Sequence, residues 1–145
     1  MSVKSRVTAA DENYLEAVLM IQNRAGAVRS VDLAEQLGVT KASVSVKVHA
    51  LISADLLCKD AQNYLHLTKS GLQIAERIYD RHRFLTDALI SLGIDPETAE
   101  DDACHMEHHV SDETFSAMKA YCAGNRQMPV RSAETVWNRG RGESF

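Results

Sequence analysis

Apolar residues recur at helical spacing over most of the chain, and the period changes to that of strands in only one region. Over about Asp11–Asn23 the apolar positions lie three or four residues apart, which predicts an amphipathic helix that ends at Gly26. A longer helix is predicted over about Lys69–Leu92, where the same spacing continues. Further helices are predicted to begin after the capping residues Asp95 and Ser111. The pattern therefore predicts a mostly α-helical protein.

Between the first and the long helix, the pattern predicts two short helices joined by a tight turn. Gly38 supplies the left-handed turn residue, and Thr40 can cap the second helix. The spacing from Ala34 through Gly38 to Val44 is typical of a helix-turn-helix. Short side chains and two lysines on the exposed face suit a helix that lies in the major groove of DNA. The candidate contacts on this helix are Thr40, Lys41, Ala42, Ser43, Val46 and Lys47.

Two short strands, Leu56–Lys59 and Tyr64–Leu67, are predicted directly after this second helix, around a polar turn. A β-hairpin in this position is the wing of a winged helix. Alternation with Leu56 predicts that Cys58 faces the core. Further candidate DNA contacts lie in the wing and in the polar N-terminal segment: Lys4, Arg6, Lys59 and Asn63.

The composition narrows the class of protein. The chain has 145 residues with a formal net charge of −4 and only 2 prolines. No apolar run approaches the roughly 18 residues of a membrane span, and the polar N-terminus does not resemble a signal peptide. The 3 cysteines predict reduced thiols in a cytoplasmic protein. We expect residues 1–71 to form the winged DNA-binding domain and residues 72–145 an all-helical domain.

The acidic stretch after the long helix carries the candidate chemistry. Cys104, Glu107 and His108 stand at i, i+3 and i+4, so one helical face would present a thiol, a carboxylate and an imidazole. These groups are good ligands for a divalent transition metal. The alternative is a solvated acidic helix whose cysteine packs as a small apolar residue.

Three other polar residues have a structural and a functional interpretation. Asn13 and Glu16 face away from most of the apolar side of the first helix, where they can be solvated surface residues. His82 lies midway along the long helix, where a single histidine usually finds a local partner.

A winged helix, a long helix with a central histidine and Cys-x-x-Glu-His, in this order, resembles the diphtheria toxin repressor family over residues 8–123. That family includes iron-dependent repressors and shorter manganese transport regulators, and the length resembles the short form without an SH3-like domain. The resemblance implies a helical metal-binding and dimerisation domain after the winged helix. The metal ligands that it implies are Asn13, Glu16, His82, Cys104, Glu107 and His108.

The departures from the family pattern affect the choice of metal. Asn13 stands where the family has Met or Asp, and Cys104 matches the iron regulators rather than the manganese regulators, which have Glu. The soft thiolate favours Fe²⁺ over Mn²⁺, while Co²⁺, Ni²⁺ or Zn²⁺ can bind in vitro. An ancillary metal would use His82 and Glu100, but Thr86 replaces its expected carboxylate.

Together with the helix-turn-helix, this resemblance implies a metal-activated transcriptional repressor of metal-homeostasis genes. It would bind a palindromic operator in double-stranded DNA as a homodimer, because the long helix leaves Leu85 and Leu89 in need of cover. One alternative is a small metallohydrolase with Glu107 as its base, although the helical His-Glu-x-x-His order is absent. The other is a winged-helix regulator that responds to an organic ligand or to thiol oxidation.

Overall fold

The computed structural model describes residues 6–124, which form six helices and one β-hairpin. The first helix, α1, covers Ala9–Ala25 and begins earlier than its apolar pattern predicts. The Thr8 hydroxyl accepts the N–H of Asp11 at 3.1 Å, and the Asp11 carboxylate accepts the N–H of Thr8 at 3.0 Å. This reciprocal capping box satisfies two backbone donors and fixes the start of the helix.

The predicted helix-turn-helix is present as α2, Ser30–Leu37, and α3, Lys41–Ser53. Gly38 has a φ of 65°, a left-handed conformation that costs glycine little, and it ends α2. The Thr40 hydroxyl accepts the N–H of Ser43 at 3.1 Å and caps α3, as predicted. The turn chemistry thus sets where α3 begins.

The wing consists of two antiparallel strands, β1, Leu57–Lys59, and β2, Leu65–Leu67. The turn between them includes Asn63, whose φ of 65° is left-handed, and whose N–H donates to the carbonyl of Asp60 at 3.0 Å. Asparagine tolerates this conformation better than most residues, which explains the polar turn.

The predicted inward orientation of Cys58 is wrong, because its side chain is exposed. The alternation begins at Leu57, which is 1% exposed, rather than at Leu56. Leu56 is buried as well, but it precedes the strand, and its N–H bonds to the carbonyl of Leu51.

A long helix, α4, covers Lys69–Ser91, and the chain divides into two compact units within it, between Ile78 and Tyr79. Its start lies very close to the hairpin, because a Cβ on Gly71 would come within 1.9 Å of the Leu56 carbonyl oxygen. Only glycine fits this approach. The apolar core of the first unit comprises residues from all three preceding helices and both strands: Leu15, Val18, Ile21, Val28, Leu33, Val44, Val48, Leu51, Leu57 and Leu65.

The second unit contains the rest of α4 with α5, Pro96–Met106, and α6, Asp112–Gly124. The predicted cap is confirmed, since the Asp95 carboxylate accepts the N–H of Thr98. Phe84 on α4 and Phe115 on α6 meet edge to face with ring centroids 5.3 Å apart.

The observed elements confirm the mostly α-helical fold with an N-terminal winged helix-turn-helix. Among residues 6–124, no helix is both long enough and apolar enough to cross a membrane.

Candidate metal centre and DNA-reading helix

In the second unit, a buried carboxylate lies between two imidazoles. Glu107 is 0% exposed, and its Oε2 is 2.7 Å from Nδ1 of His82. Its Oε1 is 3.2 Å from Nε2 of His108, whose side chain is 8% exposed. All three residues were predicted as ligands from the sequence, and the structure brings their ligand atoms together.

The end of α5 positions two members of this cluster. The helix ends at Met106, and Glu107 is its C-terminal capping residue, with its N–H donating to the carbonyl of Ala103 at 3.0 Å. The helical turn therefore extends through Glu107. The i, i+3 spacing that suggested the site thus places the Glu107 side chain on the same helical face as Cys104. His82 enters from α4, and its side chain is 5% exposed.

The chemistry of this cluster fits a divalent transition metal. A carboxylate removed from water needs a compensating cation or several hydrogen-bond donors. Two imidazole nitrogens and one carboxylate oxygen are ligands that Fe²⁺, Mn²⁺, Co²⁺ and Zn²⁺ accept. His82, Glu107 and His108 could therefore hold such an ion.

The remaining predicted ligands have different environments. Glu16 on α1 is only 3% exposed, so it is not the solvated residue that its position in the apolar pattern allowed. Asn13 is half-buried on the same helix. Cys104 and Glu100 are half-buried on α5. Thr86, in the ancillary position, is 3% exposed. Their roles in metal binding stay predictions.

A buried arginine beside this cluster was missed in the sequence. Arg81 precedes His82 on α4, and its side chain is 5% exposed. Its guanidinium donates to the carbonyl oxygen of Glu107 at 3.2 Å and also to the carbonyl of Val110 and the carboxylate of Asp112. In the sequence it is one of several charged residues in this part of α4, and none of its partners is close along the chain.

In the first unit, the N-terminal half of α3 presents the predicted DNA-reading residues to solvent. Val46, the apolar residue of this face, is 73% exposed. The polar and small residues on this face are also exposed: Thr40, Lys41, Ala42 and Ser43. A helix with such short side chains can approach base edges closely.

Lys47 differs from the other residues of this face, because it is half-buried and paired. Its Nζ lies 2.8 Å from Oδ1 of Asp11 on α1. Burial raises the pKa of Asp11, but the bonds from Lys47 and Thr8 outweigh it and hold the pKa below its ordinary value. The ion pair therefore persists at neutral pH.

The other predicted DNA contacts lie in the wing and near the N-terminus. Lys59 and Asn63 are exposed, as is Arg6, whereas Lys4 lies outside the described residues. The wing also holds a hydrogen bond between its two side chains His66 and Asp60, with Nε2 of His66 2.8 Å from Oδ2 of Asp60. This hydrogen bond is the main cause that lowers the pKa of Asp60.

Both parts of the chain match known family domains. Residues 6–67 match the domain described as iron dependent repressor, N-terminal DNA binding domain. Residues 68–132 match the domain described as iron dependent repressor, metal binding and dimerisation domain.

Relatives span the same region. The chain is 33% identical over 110 residues to the transcriptional regulator MntR of Escherichia coli, covering 76% of this chain and 71% of that protein. It is 34% identical over 104 residues to the HTH-type transcriptional regulator MntR of Bacillus subtilis, covering 72% of this chain and 73% of that protein.

Solved structures have the same fold. The manganese regulator SloR superposes with a TM-score of 0.70 at 27% identity, covering 81% of this chain and 54% of SloR. The IdeR protein of T. acidophilum gives a TM-score of 0.69 at 26% identity, covering 78% of this chain and 54% of IdeR. The chain thus spans about half the length of these two solved relatives. From its two matched domains and its similarity to the MntR proteins, the chain belongs to the iron-dependent repressor family, whose members are DNA-binding regulators rather than enzymes.

Proposed function

We propose that this protein is a metal-activated repressor that binds a palindromic operator as a homodimer in the cytoplasm and controls metal-homeostasis genes. The single observation that carries the proposal is the buried Glu107 carboxylate between the imidazoles of His82 and His108. Such a cluster is costly to bury, and a bound divalent cation would compensate its charge.

We infer that Asn13, Glu16 and Cys104 complete the ligand set, as the family resemblance implies. Support comes from the chemistry of the donor atoms, because a carboxylate, an amide oxygen and a thiolate are all ligands that divalent transition metals accept, and Glu16 is only 3% exposed. Glu100 is the candidate for an ancillary ion. A bound metal supplies a fixed connection between its ligands, and no chemical reaction is required of it.

A bound metal can shift an equilibrium between two conformations of the protein only by the difference between its affinities for them. Moving a population from one state almost entirely to the other needs about 5.5 kcal/mol. Apparent metal-binding free energies of several-ligand sites reach about 10 kcal/mol, so coordination can supply this amount. The exposed face of α3, with the wing, is the surface proposed to contact DNA.

The choice of metal follows from the donor atoms. Fe²⁺ is favoured over Mn²⁺ because Cys104 is the only soft ligand in the proposed set, whereas the carboxylates and imidazoles accept either ion. Co²⁺, Ni²⁺ and Zn²⁺ would bind in vitro for the same reason.

The test is selection of duplexes from a random DNA library by the full chain with Mn²⁺, Fe²⁺, Co²⁺ or Zn²⁺, each beside a chelated sample. The proposal expects a palindromic sequence to be enriched with metal and not with chelator. Enrichment of the same sequence in the chelated sample would instead favour a regulator that responds to an organic ligand or to thiol oxidation.

A further inference from the structure

We propose that Arg81 is a positioning residue for the metal centre, which holds the main chain at Glu107 so that its carboxylate is in place before metal arrives. This inference rests on the proposed metal function. It adds a residue that is not itself a metal ligand, and it assigns a purpose to a buried charge that the DNA-binding function does not use.

The guanidinium joins the end of α5 to the start of α6. A helix C-terminus leaves carbonyl oxygens without helical partners and carries a negative partial charge. Arg81 donates to the carbonyl of Glu107 there, to the carbonyl of Val110 in the connection between the two helices, and to the carboxylate of Asp112 in the first turn of α6. Only a planar, multidentate donor such as arginine can satisfy three acceptors in one fixed geometry.

Two consecutive side chains of α4 therefore contact the same residue in different ways. Arg81 binds the main-chain oxygen of Glu107 at 3.2 Å, and His82 contacts its carboxylate at 2.7 Å. His108 follows Glu107 directly in the chain, so fixing this peptide also restricts where its imidazole can lie. Ligands held in place by surrounding hydrogen bonds pay less to become ordered when metal binds.

The alternative is a purely structural role, in which Arg81 only connects α4 to α6. The chain offers a matched control for that role. Asp80 precedes Arg81 on α4, and its Oδ2 forms an ion pair with Nζ of Lys119 on α6 at 3.2 Å. Both side chains of this pair are well exposed, at 62% and 48%. The pair therefore joins the same two helices, and within residues 6–124 it makes no hydrogen bond to Glu107 or Val110.

The experiment compares full-length Arg81→Gln, Arg81→Lys and the control Asp80→Asn. The affinity for Co²⁺ is measured by competition with a chelator, and helical content is measured on the metal-free proteins. Loss of groups that orient metal ligands typically costs about 10–100-fold in affinity. We expect a loss in that range for Arg81→Gln at unchanged helical content and a smaller loss for Arg81→Lys. Asp80→Asn should keep the wild-type affinity.

A wild-type Co²⁺ affinity in Arg81→Gln would overturn the inference, and so would an equal loss in Asp80→Asn. If Arg81→Gln does not fold, Asp112→Ala decides, because the Asp112 side chain is 75% exposed and its removal takes away one acceptor of the guanidinium. The inference expects Asp112→Ala to weaken Co²⁺ binding and to change the visible absorption of the Co²⁺ complex, and a wild-type result in both contradicts it.

Glu107→Gln, measured in parallel, distinguishes a failure of the proposed metal centre from a failure of the role proposed for Arg81. If it binds Co²⁺ as tightly as the wild type, the proposed metal centre itself fails. If only Glu107→Gln loses affinity, the metal centre stands and the role of Arg81 is refuted.

Discussion

On α3, most of the side chains proposed to read DNA lie in solvent above an apolar core, whereas at the end of α5 the Glu107 carboxylate proposed to bind metal is itself buried. Val46 is 73% exposed, and Glu107 is 0% exposed. Substitutions of exposed residues usually change stability by less than about 0.5 kcal/mol. Removing one partner of a buried ion pair costs about 3–5 kcal/mol. The DNA-reading surface can therefore change with little effect on folding, and the metal centre cannot.

The largest effect is expected at the buried carboxylate. Glu107→Gln keeps the shape but loses the charge, so metal affinity should fall by about 100-fold or more, since it removes a proposed ligand rather than its support. Metal-dependent DNA binding should disappear with it. The control is Glu113→Gln, an exposed acid of α6, which should bind metal normally. Equal metal affinities in the two variants would contradict the claim that the buried Glu107, and not an exposed acid, binds the metal.

Metal choice tests whether Cys104 belongs to the buried cluster. Cys104→Ala should lose the metal response while keeping its helical content, because a thiolate ligand is lost. Cys104→Glu combined with Asn13→Asp should shift activation toward Mn²⁺, which prefers carboxylate oxygens. Binding is measured with Fe²⁺ and Mn²⁺ in turn, and Cys58→Ser, at an exposed thiol, serves as the control. Normal metal dependence in Cys104→Ala would exclude this residue from the site.

The exposed face offers a smaller, purely electrostatic effect. Lys47→Ala should weaken binding to selected and random DNA alike. The slope of the logarithm of the DNA-binding constant against the logarithm of the salt concentration should fall in magnitude by about 0.9, the contribution of one phosphate contact. Asp11→Asn should strengthen binding, because it releases Lys47 from its 2.8 Å ion pair. The slopes come from binding curves at several salt concentrations, with Lys119→Ala in the second unit as the control. An unchanged slope in Lys47→Ala would show that this lysine does not meet phosphate.

The smallest effect concerns the exposed hydrogen bond between His66 and Asp60 in the wing. The hydrogen bond from His66 lowers the pKa of Asp60 in the folded protein, so its stabilisation is present above the unfolded pKa of about 3.9 and is lost as the pH falls through the folded value. Asp60→Asn should therefore be slightly less stable than the wild type at neutral pH and equal to it in acid. Urea unfolding at several pH values measures this, and a difference independent of pH would contradict it.

The sequence predicts well what depends on neighbours along the chain. Gly38 and the cap Thr40 identify the helix-turn-helix, because turn and capping geometry depends on a few consecutive residues. The cluster of Glu107 and His108 is visible for the same reason. Cys58 was misplaced because a strand of three residues gives too short an alternation to fix its first residue.

Contacts between distant residues could not be predicted in the same way. Arg81 meets partners more than twenty residues away, and Lys47 meets Asp11 across 36 positions, with no periodic signal for either. Leu85 was predicted to be left exposed by its own chain and to be buried by a second subunit. It is already only 1% exposed in the single chain, whereas Leu92 is 68% exposed. Helical spacing identifies apolar residues but does not say which of them the same chain covers.

The most direct test of the central claim is the coupling between metal and DNA in the wild-type protein. Affinity for Mn²⁺ or Fe²⁺ is measured without DNA and with a saturating duplex selected by the metal-loaded protein. Because coupling between two binding sites is reciprocal, DNA must tighten metal binding by the same factor by which metal tightens DNA binding. We predict a large and equal factor in both directions, abolished by Glu107→Gln. A metal affinity that does not change when DNA binds would contradict a metal-activated repressor.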